Sequence, residues 1–409
     1  GILIIVALKL QQAWGIPDLA LVCFLMGLVM GWAMINTLPS IFLGTPDEAA
    51  MFITLPGQKY LMQGRGHEAA VLTAAGGLGA VVFLGMAAPL LPLVLPPFKA
   101  LIGPHLFWIL GLMVVFMVMS EWPKGGDWGG PGRRFLDAWS SLLAGIATLA
   151  LSGFLGFILL YRPIVPPEYA FQNIMPAFVG LYAVPWILGN ILSPIAVPKQ
   201  VVPASIDADQ RVLTRAVAAG SGGGLFAAIF PIITGGMGGL LAGHATAQQD
   251  ERAFVASQGA SKVVYYVGAF LLLFVPGLAL TRGGMAWMVQ TIYVPASASE
   301  YWTIIGAVLL SGGVSFLLLL PLSRFMVWLV GRVNHRSLSW FTGLLAFGIV
   351  FWITGWQGVL ITVVSTGIGM IPVYFHSRRM NCMGVLLIPV MLNMGGVGPD
   401  VAALLGLAT

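Results

Sequence analysis

The sequence predicts an all-α integral membrane protein, a polytopic helical bundle of about 10–12 spans, and three observations carry that expectation. Of 409 residues, 58% are hydrophobic and only 8% are charged, with a mean hydropathy of +0.94. A water-soluble surface needs about 25% charged residues, so the outer surface of this chain faces something other than water. The stretches 19–46, 69–98, 138–161, 169–198, 216–249, 301–323 and 339–375 contain no Asp, Glu, Lys or Arg. About 20 apolar residues in a helix cross a hydrocarbon core of about 30 Å, and most of these runs reach that length. A transmembrane β-barrel would show alternating segments of about ten residues. Nothing here alternates.

In chain order, spans are expected near 19–37, 69–88, 104–120, 138–160, 175–195, 213–230, 262–280, 301–321, 340–354, 357–374 and 383–405. The Gly/Pro-rich loop 121–134 and the polar linker 195–211 lie two spans apart and both carry Lys or Arg. The positive-inside rule places them on the cytoplasmic side, which makes the chain a multi-pass protein of the cytoplasmic (inner) membrane. The net charge of +5 reads as the same bias, not as a nucleic-acid footprint. Trp108, Trp122, Trp128, Trp139, Trp302, Trp340 and Trp356 fall at span ends and read as an aromatic belt. Cys23 and Cys382 read as small apolar residues packed between helices. The chain begins at Gly1 inside an apolar run, so the numbering is expected to start within a longer protein.

Two segments break helical logic inside apolar sequence. In the first, residues 36–48 (NTLPSIFLGTPDE), Pro46 fits a first helical position, with Thr45 as N-cap and Asp47 and Glu48 in the first turn. In the second, residues 220–249, nine glycines crowd around Pro231 and Thr234. Irregular backbone at membrane depth is tolerated where it is buried in protein or lines a cavity. Broken helices, one in each half of a chain, point to a transporter's binding site. A helix N-terminus there offers N–H groups and a positive dipole end to a carboxylate or phosphate. The competing reading is a pair of Gly-rich packing surfaces.

The residues around these breaks sort by chemistry. Asn36, Thr37, Gly44, Thr45 and Pro46 in the first segment, and Pro231, Thr234, Gly235 and Gly236 in the second, are the expected substrate contacts. Asp47 and Glu48 read either as capping charges or as the groups that hold a coupling cation. His244 reads as a proton or substrate contact, or else as a polar helix end. Lys262 opens a span and is expected to snorkel to the interface, with an anion contact as the alternative. No phosphate loop, His-Glu-x-x-His, Cys pair at metal spacing or Gly-x-Ser-x-Gly occurs. Neither an enzyme nor a resident cofactor or metal is expected, and Na⁺ enters only as a coupling ion.

At these same residues the chain resembles a known family. Residues 40–77 (SIFLGTPDEAAMFITLPGQKYLMQGRGHEAAVLTAAGG) resemble a segment of the large permease subunit of the tripartite tricarboxylate transporters, the TctA family. The form Pro-Ser-Ile-Phe-Leu-Gly-x-Pro-Asp-Glu is closer to the archaeal-type branch. Residues 224–249 resemble the family's second Pro-Gly hairpin, and 379–389 (RMNCMGVLLIP) that branch's closing span. The resemblance implies two repeats of inverted topology with re-entrant broken-helix hairpins, here 1–200, with its N-terminal hairpin missing, and 201–409. It implies symport of a small organic anion, a carboxylate of tricarboxylate type, driven by H⁺ or Na⁺. It also implies, for bacterial members, a periplasmic binding protein and a small membrane subunit as partners. This chain departs from the pattern at Pro231-Ile232, where the family has Pro-Gly, and at Asp47, where it has glycine. An acid at that turn weighs against a citrate-like polyanion. The rival functions are a translocase for lipid phosphate headgroups and a structural subunit of a larger membrane complex.

Overall fold

The computed structural model describes residues 9, 11–45, 48–121, 130–162, 164–165, 173–192, 197–203, 205–206, 209–248, 250–290, 293, 295 and 297–407. The helices are α1 (Asp18–Ile35), α2 (Thr37–Phe42), α3 (Met51–Met62), α4 (Gly66–Ala87), α5 (Leu91–Ile102), α6 (Leu106–Met119), α7 (Pro131–Tyr161), α8 (Ile174–Phe178) and α9 (Val184–Leu192). They continue with α10 (Gln210–Ile229), α11 (Gly235–Ala245), α12 (Glu251–Leu271), α13 (Gly283–Gln290), α14 (Ala298–Arg332), α15 (His335–Tyr374), α16 (Gly384–Met394) and α17 (Gly398–Leu404). Among the described residues there is no strand.

Eight helical segments of the described residues are long and apolar enough to cross a membrane, or nine with one bent pair. The expected spans and these segments differ in detail at three places. The expected span 262–280 is α12, whose first turns carry Glu251 and Arg252 and which ends at Leu271. The expected span 383–405 is bent by 116° between Arg379–Met394 and Gly398–Leu404. The expected spans 340–354 and 357–374 lie within α15, on either side of Gly355, whose φ of 64° and ψ of −159° interrupt the helix. Forty helical residues would measure about 60 Å at 1.5 Å each, twice a hydrocarbon core, so a break there is what the bilayer requires. Large apolar side chains such as Leu310, Leu344, Trp352 and Trp356 are exposed on α14 and α15, as a lipid-facing surface demands.

By contact the chain divides into two compact units, Gly1–Ala100 with Pro194–Leu338, and Leu101–Ser193 with Ser339–Thr409. Each draws on both 1–200 and 201–409, because contact groups residues by proximity while a repeat is a matter of chain order.

In the first unit α12 is enclosed by α1, α4, α10 and α11, and even its polar Ser257, Gln258, Ser261 and Lys262 are buried. Small residues permit that enclosure. A Cβ at Gly220 of α10 would overlap the Ser257 carbonyl oxygen of α12, whereas one at Gly222 would meet nothing within 4 Å among the described residues. The end of α12 where the chain enters it is polar. Arg65 donates to both carboxylate oxygens of Glu68 at 2.6 and 2.8 Å, Arg252 approaches Glu68 at 3.2 Å, and Lys59 pairs with Glu251.

In the second unit α7 packs on α16 and on the short turn Arg379–Met383 ahead of it. Glu121, just past α6, is buried against that turn and accepts from the Arg378 amide, from Asn381 Nδ2 at 3.1 Å and from the Ser141 hydroxyl at 3.4 Å. Burial pushes its carboxyl above the ordinary value, and the donors only partly offset this.

Two outcomes follow. Gly220→Ala lowers stability by about 2 kcal/mol through backbone overlap, while Gly222→Ala is neutral or slightly stabilising because alanine favours helix; thermal melts in detergent separate the two. Glu121 binds its proton more tightly folded than unfolded, so its contribution to stability is complete at acid pH and is lost as pH rises through the raised folded value. Glu121→Gln therefore raises the melting temperature at pH 7 and gives no gain near pH 4.

Candidate functional site at the hairpin tips

The first broken segment begins where α1 stops at Asn36 and α2 starts at Thr37. The hydroxyls there serve the break: Thr37 Oγ1 donates to Met34 O at 2.9 Å and Ser40 Oγ to Asn36 O at 3.2 Å. After α2 the chain turns at Gly44, whose φ of +66° lies in the left-handed region that glycine adopts without strain. Thr45 then donates through both its amide and its hydroxyl to Pro39 O at 3.3 Å. That arrangement corrects the sequence expectation. Thr45 closes the end of α2 instead of capping a helix that starts at Pro46, and the next helix starts at Met51 with Glu48 in the preceding turn. Pro46 and Asp47 lie outside the described residues. Gln58 of α3 reaches back to Ile41 O at 2.7 Å, which fixes α2 and α3 as a hairpin.

The second broken segment is α10, the turn Phe230–Thr234, and α11. Thr234, 1% exposed, caps α11 by accepting from the Met237 amide at 3.4 Å. Arg282, in the loop before α13, donates to Ile229 O at the end of α10. Pro231 is followed by Ile232 at a φ of +68°. A β-branched side chain in the left-handed region is a genuine outlier, and it stands where the resembled family has glycine.

The two hairpins meet in the first unit. A Cβ at Gly236 would come within 2.8 Å of Ala49 O, so the start of α11 lies against the turn that carries Glu48. α12 runs behind both tips. Its Ser261 hydroxyl donates to Gly235 O at 2.6 Å, its Tyr266 hydroxyl donates to Glu48 Oε1 at 3.2 Å, and its Lys262 ammonium donates to Asn36 Oδ1. Lys262 is 2% exposed, near the middle of α12. The expected snorkelling lysine is thus corrected to a cation held at depth.

Of the residues named from sequence, the fold gathers Asn36, Thr37, Glu48, Thr234, Gly235 and Gly236 around these tips, with Gly44, Thr45 and Pro231 in the flanking turns. It does not gather His244, which sits exposed at the far end of α11, its Nδ1 2.8 Å from Leu240 O. Nine residues of helix put it about 13 Å from Gly235. Sequence reasoning passed over Gln258 and Ser261. Their signal was present: with Ser257, Lys262 and Tyr265 they recur at a helical period along one stripe of α12.

Chemically, the site combines the positive end of an eleven-residue helix, a buried ammonium, an amide and a carboxylate. Helix-end N–H groups and an ammonium suit an anion; a carboxylate with neighbouring oxygens suits a cation. Among the described residues no three His, Cys, Asp or Glu side chains group as metal ligands.

Many apolar spans, with two broken helices that meet at a buried charged region, define a multi-pass membrane protein. The chain belongs to the tripartite tricarboxylate transporter TctA family, whose model matches residues 1–384. This is a transporter family and not an enzyme family. A relative from Methanocaldococcus jannaschii, the uncharacterized protein MJ1079, is 25% identical over 376 residues, covering 90% of this chain and 87% of that protein. No solved structure matches the chain.

Replacing Ile232 by glycine removes the left-handed strain and should raise stability by about 1 kcal/mol. A lowered melting temperature for Ile232→Gly would show instead that the isoleucine side chain, not the backbone, governs this turn.

Proposed function

We propose that this protein is the permease of a secondary active transporter that carries a small organic anion, a carboxylate, across the cytoplasmic membrane. The observation that carries this reading is the meeting of the capped N-terminus of α11 with the first hairpin's turn, beside Lys262 on Asn36. Two positive elements within one buried region favour a negative ligand. In this reading Asn36, Thr37, Thr234, Gly235 and Gly236 hold the anion, Gly44, Thr45, Pro46 and Pro231 shape the turns, and Lys262 supplies the counter-charge. Asp47 and Glu48 carry the coupling cation, H⁺ or Na⁺. The halves 1–200 and 201–409 act as inverted repeats that give the site alternating access. Family membership supports a tripartite arrangement, in which a periplasmic binding protein delivers substrate and a small membrane subunit accompanies the permease.

Uptake into proteoliposomes over a panel of mono-, di- and tricarboxylates, with and without Na⁺ and across a pH gradient, tests the reading. At least one carboxylate should accumulate, and Lys262→Met should cut its uptake tenfold or more, about 1.4 kcal/mol. Glu48→Gln or Asp47→Asn should weaken the dependence on the driving ion. If no carboxylate moves and none shifts the melting temperature, the substrate assignment is wrong.

A further inference from the structure

We propose that the seam between α11 and α12 is a polar route leading from an open cavity to the hairpin tips, and that Gln258 is the ligand contact along it. The proposal rests on the reading of the tips as the substrate site. A cavity of about 420 Å³, lined among others by Arg215, Ala219, Gln248, Asp250 and Ala253, opens at the far end of α11. From there Gly243, Gly239 and Gly235 recur every four residues and so share one face of α11. A Cβ on that face would come within 3.6 Å of Gln248 Oε1 at Gly243, 2.9 Å of Gln258 Nε2 at Gly239, and 3.0 Å of Lys262 Cα at Gly235. Gln258 and Lys262 are themselves four residues apart on α12. A glycine face therefore packs directly on a polar series, from the cavity to the ammonium at the tips. The contact is closed in this structure, without room for a methyl group at Gly239 or Gly235, so the route passes a ligand only when α11 and α12 part.

The second observation points to a ligand. Gln258 is 2% exposed, yet among the described residues neither its Nε2 nor its Oε1 has a hydrogen-bond partner. The amide of Gln248, at the cavity, is likewise without partners among the described residues. A buried amide left unpaired costs its whole desolvation penalty, and a helix that needed only packing there would be better served by Met or Leu. The amide also lies against Gly239, where any larger residue would press on it. An amide offers two donors and an acceptor, which matches a hydrated carboxylate: Nε2 donates to a carboxylate oxygen while Oε1 accepts from a water travelling with it.

Two experiments test this on the full chain. First, Gln258→Cys in a background of Cys23→Ser and Cys382→Ala is exposed to a membrane-impermeant maleimide, with His244→Cys as an exposed control. Labelling at position 258, slowed at least threefold by a transported carboxylate, is expected; labelling of the control alone overturns the route. Second, Gln258→Met should raise the melting temperature by roughly 2 °C, because the unpaired amide is gone, while raising KM for uptake at least fivefold with kcat little changed. A lower melting temperature, or unchanged uptake, overturns the role of Gln258. The arms separate this inference from the substrate assignment. Labelling without transport of any carboxylate leaves the route standing and removes the substrate, whereas transport with an unlabelled position 258 and an unaltered Gln258→Met removes the route alone.

Discussion

A backbone or side-chain polar group buried in hydrocarbon must find its partner inside the protein, because no water is there to supply one. α12 faces this constraint under the tightest conditions in the first unit and meets it only in part: Ser261 and Lys262 find acceptors, whereas Ser257 and Gln258 find no partner among the described residues. It is enclosed on several sides by α1, α4, α10 and α11, and it nevertheless carries Ser257, Gln258, Ser261 and Lys262. The enclosing helices can come close only where side chains are small, and Gly76 of α4 and Gly220 of α10 supply that closeness against the backbone of α12. Close approach in turn brings acceptors within reach: Gly235 O for Ser261, and Asn36 Oδ1 for Lys262. The break between α1 and α2 is what presents Asn36 there.

The hairpin tips show how irregular backbone is kept satisfied at such a site. Thr37, Ser40 and Thr45 return their hydroxyls to carbonyls of the first break, and Thr234 caps the helix that follows the second. Arg282 covers the last carbonyl of α10. What the side chains do not relieve is the left-handed conformation of Ile232. Strain of that kind persists when the surroundings over-determine the backbone, and here it sits one residue beyond Pro231, at the turn that aims α11.

Much of the architecture was legible in the residues. The charge-free runs announced a helical membrane protein, and the Gly/Pro-rich segments at 36–48 and 220–249 marked the two places where the helices break. The site was legible in part. Asn36, Thr37, Thr234, Gly235 and Gly236, which the fold gathers at the hairpin tips, could be named from sequence because break residues identify themselves by type. Gln258 and Ser261 were not, because a polar residue inside a helical pattern carries no mark of which neighbour it faces. Lys262 was read as an interfacial residue, since hydropathy takes a charge to be a span boundary. Its partner Asn36, just past α1, lies more than 200 positions away in the chain, and α12 could be recognised as a buried helix only once its neighbours were in place.

The sequence by itself determined the solvent, the class of fold and the family, because composition and local motifs depend on residue type alone. Only the tertiary structure decided how the apolar runs resolve into helices. It bent the closing span by 116° and set the break between two expected spans at Gly355. It also decided that Thr45 closes one helix instead of opening the next, and that Lys262 is buried instead of snorkelling. The reason is common to all of these. Where a helix stops, and whether a charge lies at the surface or at depth, is set by hydrogen-bond partners and packing surfaces contributed from distant parts of the chain, and no local pattern contains them.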